Sequence, residues 1–282
     1  MEYINKNQSI THYKYKLKST ILIFLILHSY ISQAQTRETD PAYLKNNFGI
    51  WQKDESKHFI LYYRNYPPAK KNISHSKLLE VLEGQEESLL EISQKTGIDS
   101  STFKNLVKIN IWLFSNLKEQ RDITKINSPA FSIFPYRSMY FPYNLSHNKH
   151  ELSHLISQEY WGLFHSSKFQ MLIEEGFVNY IDEWGIKKGN FTKSAKKVIR
   201  NKKDYIQMII DNKSSGAKLF VNPYKRDIIV SSAFVKFLID NYGIEKFKTL
   251  WTLLKTKDNT FDEVYSKSFQ KLKTDFYDWL KK

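Results

Sequence analysis

The chain has 282 residues, 43 Lys and Arg against 29 Asp and Glu, a formal charge of +14 and no cysteine. Without cysteine there is no thiolate metal site, no thiol nucleophile and no disulfide framework, so stability has to come from a buried core. The length suits one large domain or two lobes sharing a core, and the basic excess attracts anionic partners such as lipid headgroups, acidic glycans or nucleic acid without identifying any of them.

At the start of the chain, Lys14, Lys16 and Lys18 precede the apolar run Ile21 to Leu27, and Ser32-Gln33-Ala34 supplies small residues after it. This is the pattern of an export signal over residues 1–34, and it predicts a secreted, cell-surface or periplasmic protein. The run is shorter than the about 20 apolar residues that a membrane-spanning helix needs, so the mature chain, 35–282, is expected to carry no transmembrane span. No cysteine follows the run to hold a lipid anchor. Removing residues 1–34 takes away four lysines and one glutamate and leaves a formal charge of +11.

Gln35 to Asp40 reads as a polar linker closed by Pro41. Phe59 to Tyr63 is β-prone. Ser74 to Thr96 predicts a long helix with Leu78, Leu79, Val81, Leu82, Leu89, Leu90 and Ile92 on one face, and Gly97 stops it. Val107 to Phe114 predicts a half-buried strand, and Ala130 to Phe134 and Ser138 to Phe141 two shorter ones. From Ser146 onwards the pattern turns helical. Ser146 is expected to cap a helix over His147 to Tyr160 that Gly162 ends, and Leu172 to Ile181 reads as a second helix. Further helices are predicted at Lys193 to Ile210, Ile228 to Asn241, Ile244 to Leu254 and Phe269 to Leu280. The expected class is α+β: a small mixed sheet followed by a mainly helical lobe, with a cleft between them. The clusters Lys187-Lys188, Lys196-Lys197 and Arg200-Asn201-Lys202-Lys203 read as solvated surface first and as an anionic contact second. No recognised nucleic-acid motif accompanies them, so no specific nucleic-acid partner is expected.

The chemistry is concentrated in His150-Glu151-Leu152-Ser153-His154 and the segment Glu174-Glu175-Gly176. Residues four apart on a helix share a face, so His150 and His154 can offer their imidazoles to one metal ion with Glu151 set beside them. A carboxylate from the second helix completes an N/O set suited to zinc that keeps a fourth position open, which is the arrangement of a catalytic site. Glu174 and Glu175 compete for that third place.

These residues resemble the gluzincin clan of metallopeptidases, and most closely its compact peptidase MA-like bacterial members. That pattern is H-E-L-[ST]-H followed by hydrophobic-x-E-G-hydrophobic-x-x-Y, supplied here by His150 to His154 and by Glu175, Gly176, Phe177 and Tyr180. The likeness extends to Ser231 to Gly243 as the downstream helix, to Phe261 to Trp279 as the closing helices, and to Lys57 to Tyr63 and Val107 to Leu113 as early strands. It implies a zincin-like fold over 35–282, with one zinc ion held by His150, His154 and Glu175. It also implies that Ser128 to Phe134 is an edge strand able to pair with an extended substrate. Two positions depart from the pattern. Asn179 stands where an acidic residue usually holds a ligand histidine, and its amide can still accept the imidazole N–H. Ile228 stands where a tyrosine usually donates to the oxyanion, and Tyr224 is the nearest substitute.

The activity implied is hydrolysis of peptide bonds in a peptide or protein substrate, with Glu151 as general base towards a water that zinc acidifies to a pKa near about 7. The alternative is a catalytically silent surface or binding protein that keeps a zincin frame. Glu151 argues against it, because a purely structural metal site has no use for that carboxylate.

Overall fold

The structure is a computed structural model that describes residues 39–64, 74–105, 107–144, 148–166, 168–187, 189–200, 204–211, 222–254 and 260–282. The expected export signal, the expected cap Ser146, and Lys188 and Asn201 to Lys203 of the basic clusters lie outside the described residues.

Helix α1 (Pro41–Asn47) begins the described chain, with the Asp40 carboxylate accepting from Ala42 N and proline in its first turn. Strand β1 (Gln52–Glu55) pairs antiparallel with β2 (Phe59–Tyr63). The long helix α2 (His75–Thr96) runs from the Ser74 cap to Gly97, whose φ of 66° is the left-handed stop expected there. Leu79 and Leu90, expected on its core face, are exposed, because each follows a buried leucine by one residue and is turned about 100° away from it. Strand β3 (Ile109–Phe114), helix α3 (Leu117–Thr124), strand β4 (Phe131–Ile133) and strand β5 (Ser138–Pro142) follow. The sheet order is β1-β2-β3-β5-β4, with β2, β3 and β5 parallel and the two outer strands antiparallel to their neighbours.

Strand residues alternate between two buried faces. Phe59, Leu61, Ile109, Ile111, Leu113, Met139 and Phe141 point into the main core shared with α2 and the later helices. Tyr62, Trp112, Phe114 and Tyr140 point the other way, under Leu44 of α1 and Ile123 of α3. On that outer face the rings of Tyr62, Trp112, Tyr140 and Phe131 stack in sequence across four neighbouring strands. Helices α1 and α3 and strand β1 are additions to what the sequence predicts. They are short or polar, and their apolar residues are too few to impose a period.

The second half is helical: α4 (Lys149–Trp161), a π-helical segment (Gln170–Glu175) continuous with α5 (Gly176–Asp182), then α6 (Phe191–Ile199), α7 (Tyr205–Ile210), α8 (Asn222–Tyr242), α9 (Ile244–Leu253), α10 (Phe261–Tyr265) and α11 (Phe269–Lys281). The helix expected over Lys193 to Ile210 is two helices. The first ends at Arg200, and a new one starts where the Asp204 carboxylate accepts from Gln207 N. On α6 the cations Lys193, Lys196, Lys197 and Arg200 are exposed, while Phe191 and Ala195 are buried. Among the described residues no helix is long and apolar enough to cross a membrane.

Helix α8 is the spine of this half, packing on α5, the π segment and α6. The closest approach needs glycine. A Cβ on Gly176 would lie 2.9 Å from the backbone carbon and oxygen of Ser231. Gly176→Ala is therefore expected to push α5 off α8 and cost about 1–3 kcal/mol as an overpacked substitution, measurable by denaturant unfolding. An alanine variant of unchanged stability would mean that the two helices can separate freely.

Candidate metal centre

Helix α4 begins at an asparagine. Asn148 Oδ1 accepts from Glu151 N at 3.0 Å, which fixes the first turn and with it His150 and Glu151. The expected cap at Ser146 is thus replaced by Asn148, because the helix starts two residues later than the pattern suggests. Leu152, Leu155 and Ile156 anchor the opposite face in the core. His150 and His154 sit one turn apart with ring centroids 5.1 Å from each other.

The second carboxylate-bearing segment is not α-helical. Gln170 to Glu175 forms i→i+5 π turns, a form found often at functional sites. Both of its consecutive glutamates reach the histidines. Glu175 Oε2 lies 3.4 Å from His150 Nε2, and Glu175 Oε1 lies 3.7 Å from His154 Nε2. Glu174 Oε1 lies 3.5 Å from the other nitrogen of the second ring, His154 Nδ1. The two glutamates differ in placement: Glu175 approaches the Nε2 atoms of both histidines, and Glu174 approaches His154 Nδ1.

One ligand atom each from His150, His154 and Glu175 lie within 4.8 Å of one another, so this group can hold a metal ion. Ligand atoms about 2.0–2.1 Å from a tetrahedral ion lie about 3.3–3.4 Å apart, and the contact of Glu175 Oε2 with His150 Nε2 at 3.4 Å is of that size, while that of Oε1 with His154 Nε2 is 3.7 Å. All three side chains keep a partial opening to solvent, 21% for His150, 12% for His154 and 17% for Glu175.

Electrostatics point the same way. Burial works against charge on His154, but the hydrogen bond to Glu174 and the charges of Glu175, Glu151 and Glu174 outweigh it and raise its pKa to about 9. His150 is also raised, burial being outweighed by its hydrogen bond to Glu175 and the charges of Glu175 and Glu151, with the His154 charge opposing. The carboxylates thus draw cations to this spot, as protons or as a metal. Since a metal needs neutral imidazoles, the affinity of this group for a divalent metal ion should climb as pH rises from about 6.5 towards 9, where the protons leave. Titrations with a competing chelator across that range check it, and a flat profile would contradict the proton competition.

Glu151 stands outside the ligand group. Ser132 Oγ, at the centre of β4, donates to Glu151 Oε2 at 3.0 Å. The hairpin of β4 and β5 is also tied to α4 by the ion pair between Arg137 and Glu159. Strand β4 is the outermost strand beside the site, as the resemblance implies for this segment. Asn179 is elsewhere. It is fully buried, its Nδ2 donates to Ser232 Oγ at 3.2 Å, and its Oδ1 has no hydrogen-bond partner among the described residues, so it does not give a histidine the support expected of it. Tyr224 falls in the first turn of α8 with its side chain outside the described residues, and Ile228 is buried one turn later. Sequence reasoning missed Ser132. A lone polar residue between Phe131 and Ile133, just ahead of the motif helix, is the signal that could have found it.

No protein family, curated protein or solved structure matches the chain. The site therefore rests on its own geometry.

Proposed function

We propose that this chain is an exported zinc-dependent metallopeptidase of the gluzincin, peptidase MA-like kind, with a zincin-like fold. The observation that carries the reading is the convergence of His150, His154 and Glu175 with the Glu151 carboxylate held apart from them. Two imidazoles and one carboxylate favour zinc among the common cations, whereas magnesium and calcium prefer all-oxygen sets. Bound zinc supplies Lewis acidity to a carbonyl and to water.

Glu151 takes a proton at its carboxylate from the attacking water and delivers it to the leaving nitrogen. Ser132 keeps that carboxylate in place through Oε2. The free edge of β4 pairs through its backbone with an extended peptide, which selects shape more than sequence. Support for this reading comes from the edge position of β4 and its direct contact with the base.

Zinc analysis of the purified protein should give one ion per chain, and a mixed peptide pool should be cleaved. Zinc without cleavage would favour the catalytically silent binding protein, and absence of any zinc binding removes both readings. A finer test concerns the serine. Ser132→Ala should lower kcat about tenfold, the worth of a hydrogen bond to a charged group, while zinc affinity and KM stay unchanged. Loss of zinc in that variant would show that Ser132 shapes the metal site instead.

A further inference from the structure

Glu174 is a buried carboxylate in a place that asks for a reason. Its residue is 5% exposed, and its ion-pair partner among the described residues is His154. Its Oε1 also accepts from Gln158 Nε2 at 3.3 Å. Gln158 lies four residues after His154 on α4, so both groups descend on Glu174 from the same helix face. A buried carboxylate is costly unless specific partners repay the lost hydration, and among the described residues His154 and Gln158 are such partners.

We infer that Glu174 is the positioning residue of the metal centre, accepting the Nδ1 proton of His154 so that the Nε2 lone pair is turned to the ion. This rests on the metallopeptidase reading and deepens it. An imidazole has two nitrogens and must choose one tautomer, and the partner of the nitrogen facing away from the ion makes the choice. With Glu174 at Nδ1, the tautomer with its lone pair on Nε2 is selected, which is the nitrogen that faces Glu175. The structure places one carboxylate at each nitrogen of the same ring, Glu174 at Nδ1 and Glu175 at Nε2, from consecutive residues of the π-helical segment Gln170 to Glu175. Gln158 completes the set by fixing the carboxylate that fixes the histidine.

Zinc affinity of the full chain, read by competition with a chromophoric chelator, tests the assignment. Glu174→Leu removes the acceptor at similar volume and should weaken zinc about 10–100-fold, the effect usual for an outer partner of a ligand histidine. Glu174→Gln keeps an oxygen acceptor and should recover part of that loss. A merely structural carboxylate would lower the unfolding temperature of the metal-free chain in both variants and leave affinity at the wild-type value, which overturns the proposal. If Glu174→Leu does not fold, the zinc-loaded wild type and Glu174→Gln are compared by histidine NMR. A His154 Nδ1 proton that moves upfield in the variant supports the role, and an identical resonance in both overturns it. Absence of zinc binding in the wild type is a different outcome, since it removes the metallopeptidase reading itself.

Discussion

Glu151→Gln is expected to bind zinc as the wild type does and to lose about 10²–10⁴-fold of peptide turnover. The carboxylate of Glu151 is absent from the group whose ligand atoms converge, so the metal set of His150, His154 and Glu175 does not need it. Its contact is with Ser132 Oγ at 3.0 Å, and an amide oxygen can accept that same hydrogen bond. The first turn of α4 is fixed by Asn148 through the backbone of residue 151, which the substitution leaves intact. What the amide cannot do is accept a proton from water. Zinc stoichiometry and initial rates on a mixed peptide pool read the two quantities separately. Turnover within a few-fold of wild type would exclude Glu151 as the base, and loss of zinc would show that it belongs to the metal set.

The second large effect belongs to Glu175. Glu175→Ala removes the oxygens that lie 3.4 Å from His150 Nε2 and 3.7 Å from His154 Nε2, leaving the ion two imidazoles. Its loss of zinc affinity should exceed the about 10–100-fold that an outer partner is worth. Glu174 is not placed to replace it, because that carboxylate lies at His154 Nδ1 and is engaged by Gln158. The same substitution takes away the hydrogen bond and charge that raise His150, so the His150 pKa should fall in the metal-free chain. Chelator competition and histidine titration by NMR measure the two effects. Should Glu175→Ala retain zinc while Glu174→Ala does not, the roles of the two glutamates are reversed.

Much of this molecule is legible from local pattern. Phe59 to Tyr63 and Ile109 to Phe114 form strands where β-prone runs predict them, and α2 starts at Ser74 and stops at Gly97 as its cap residues indicate. Other elements are not. The helix expected from Lys193 to Ile210 breaks at Arg200, since the sequence carries no glycine or proline there and only a competing cap at Asp204 marks the restart. Helix α8 begins at Asn222, ahead of the expected Ile228, because its first turn has little apolar periodicity. Asn179 matches a family position by count alone, and its side chain turns to Ser232 on α8.

The juxtaposition of His150, Glu151 and His154 is legible from the chain alone because their relation is set by one α-helical turn, and that geometry is the same wherever the turn lies. The different placement of Glu174 and Glu175 belongs to the folded molecule. Whether a glutamate meets Nε2 or Nδ1 depends on the π winding of its own segment and on how closely Gly176 lets that segment settle against Ser231. Ser132 reaches Glu151 for the same kind of reason: β4 lies beside α4 only once the sheet has formed and Arg137 has paired with Glu159. Spacing along a helix is a short-range property, whereas the direction in which two different elements face each other is fixed only by packing.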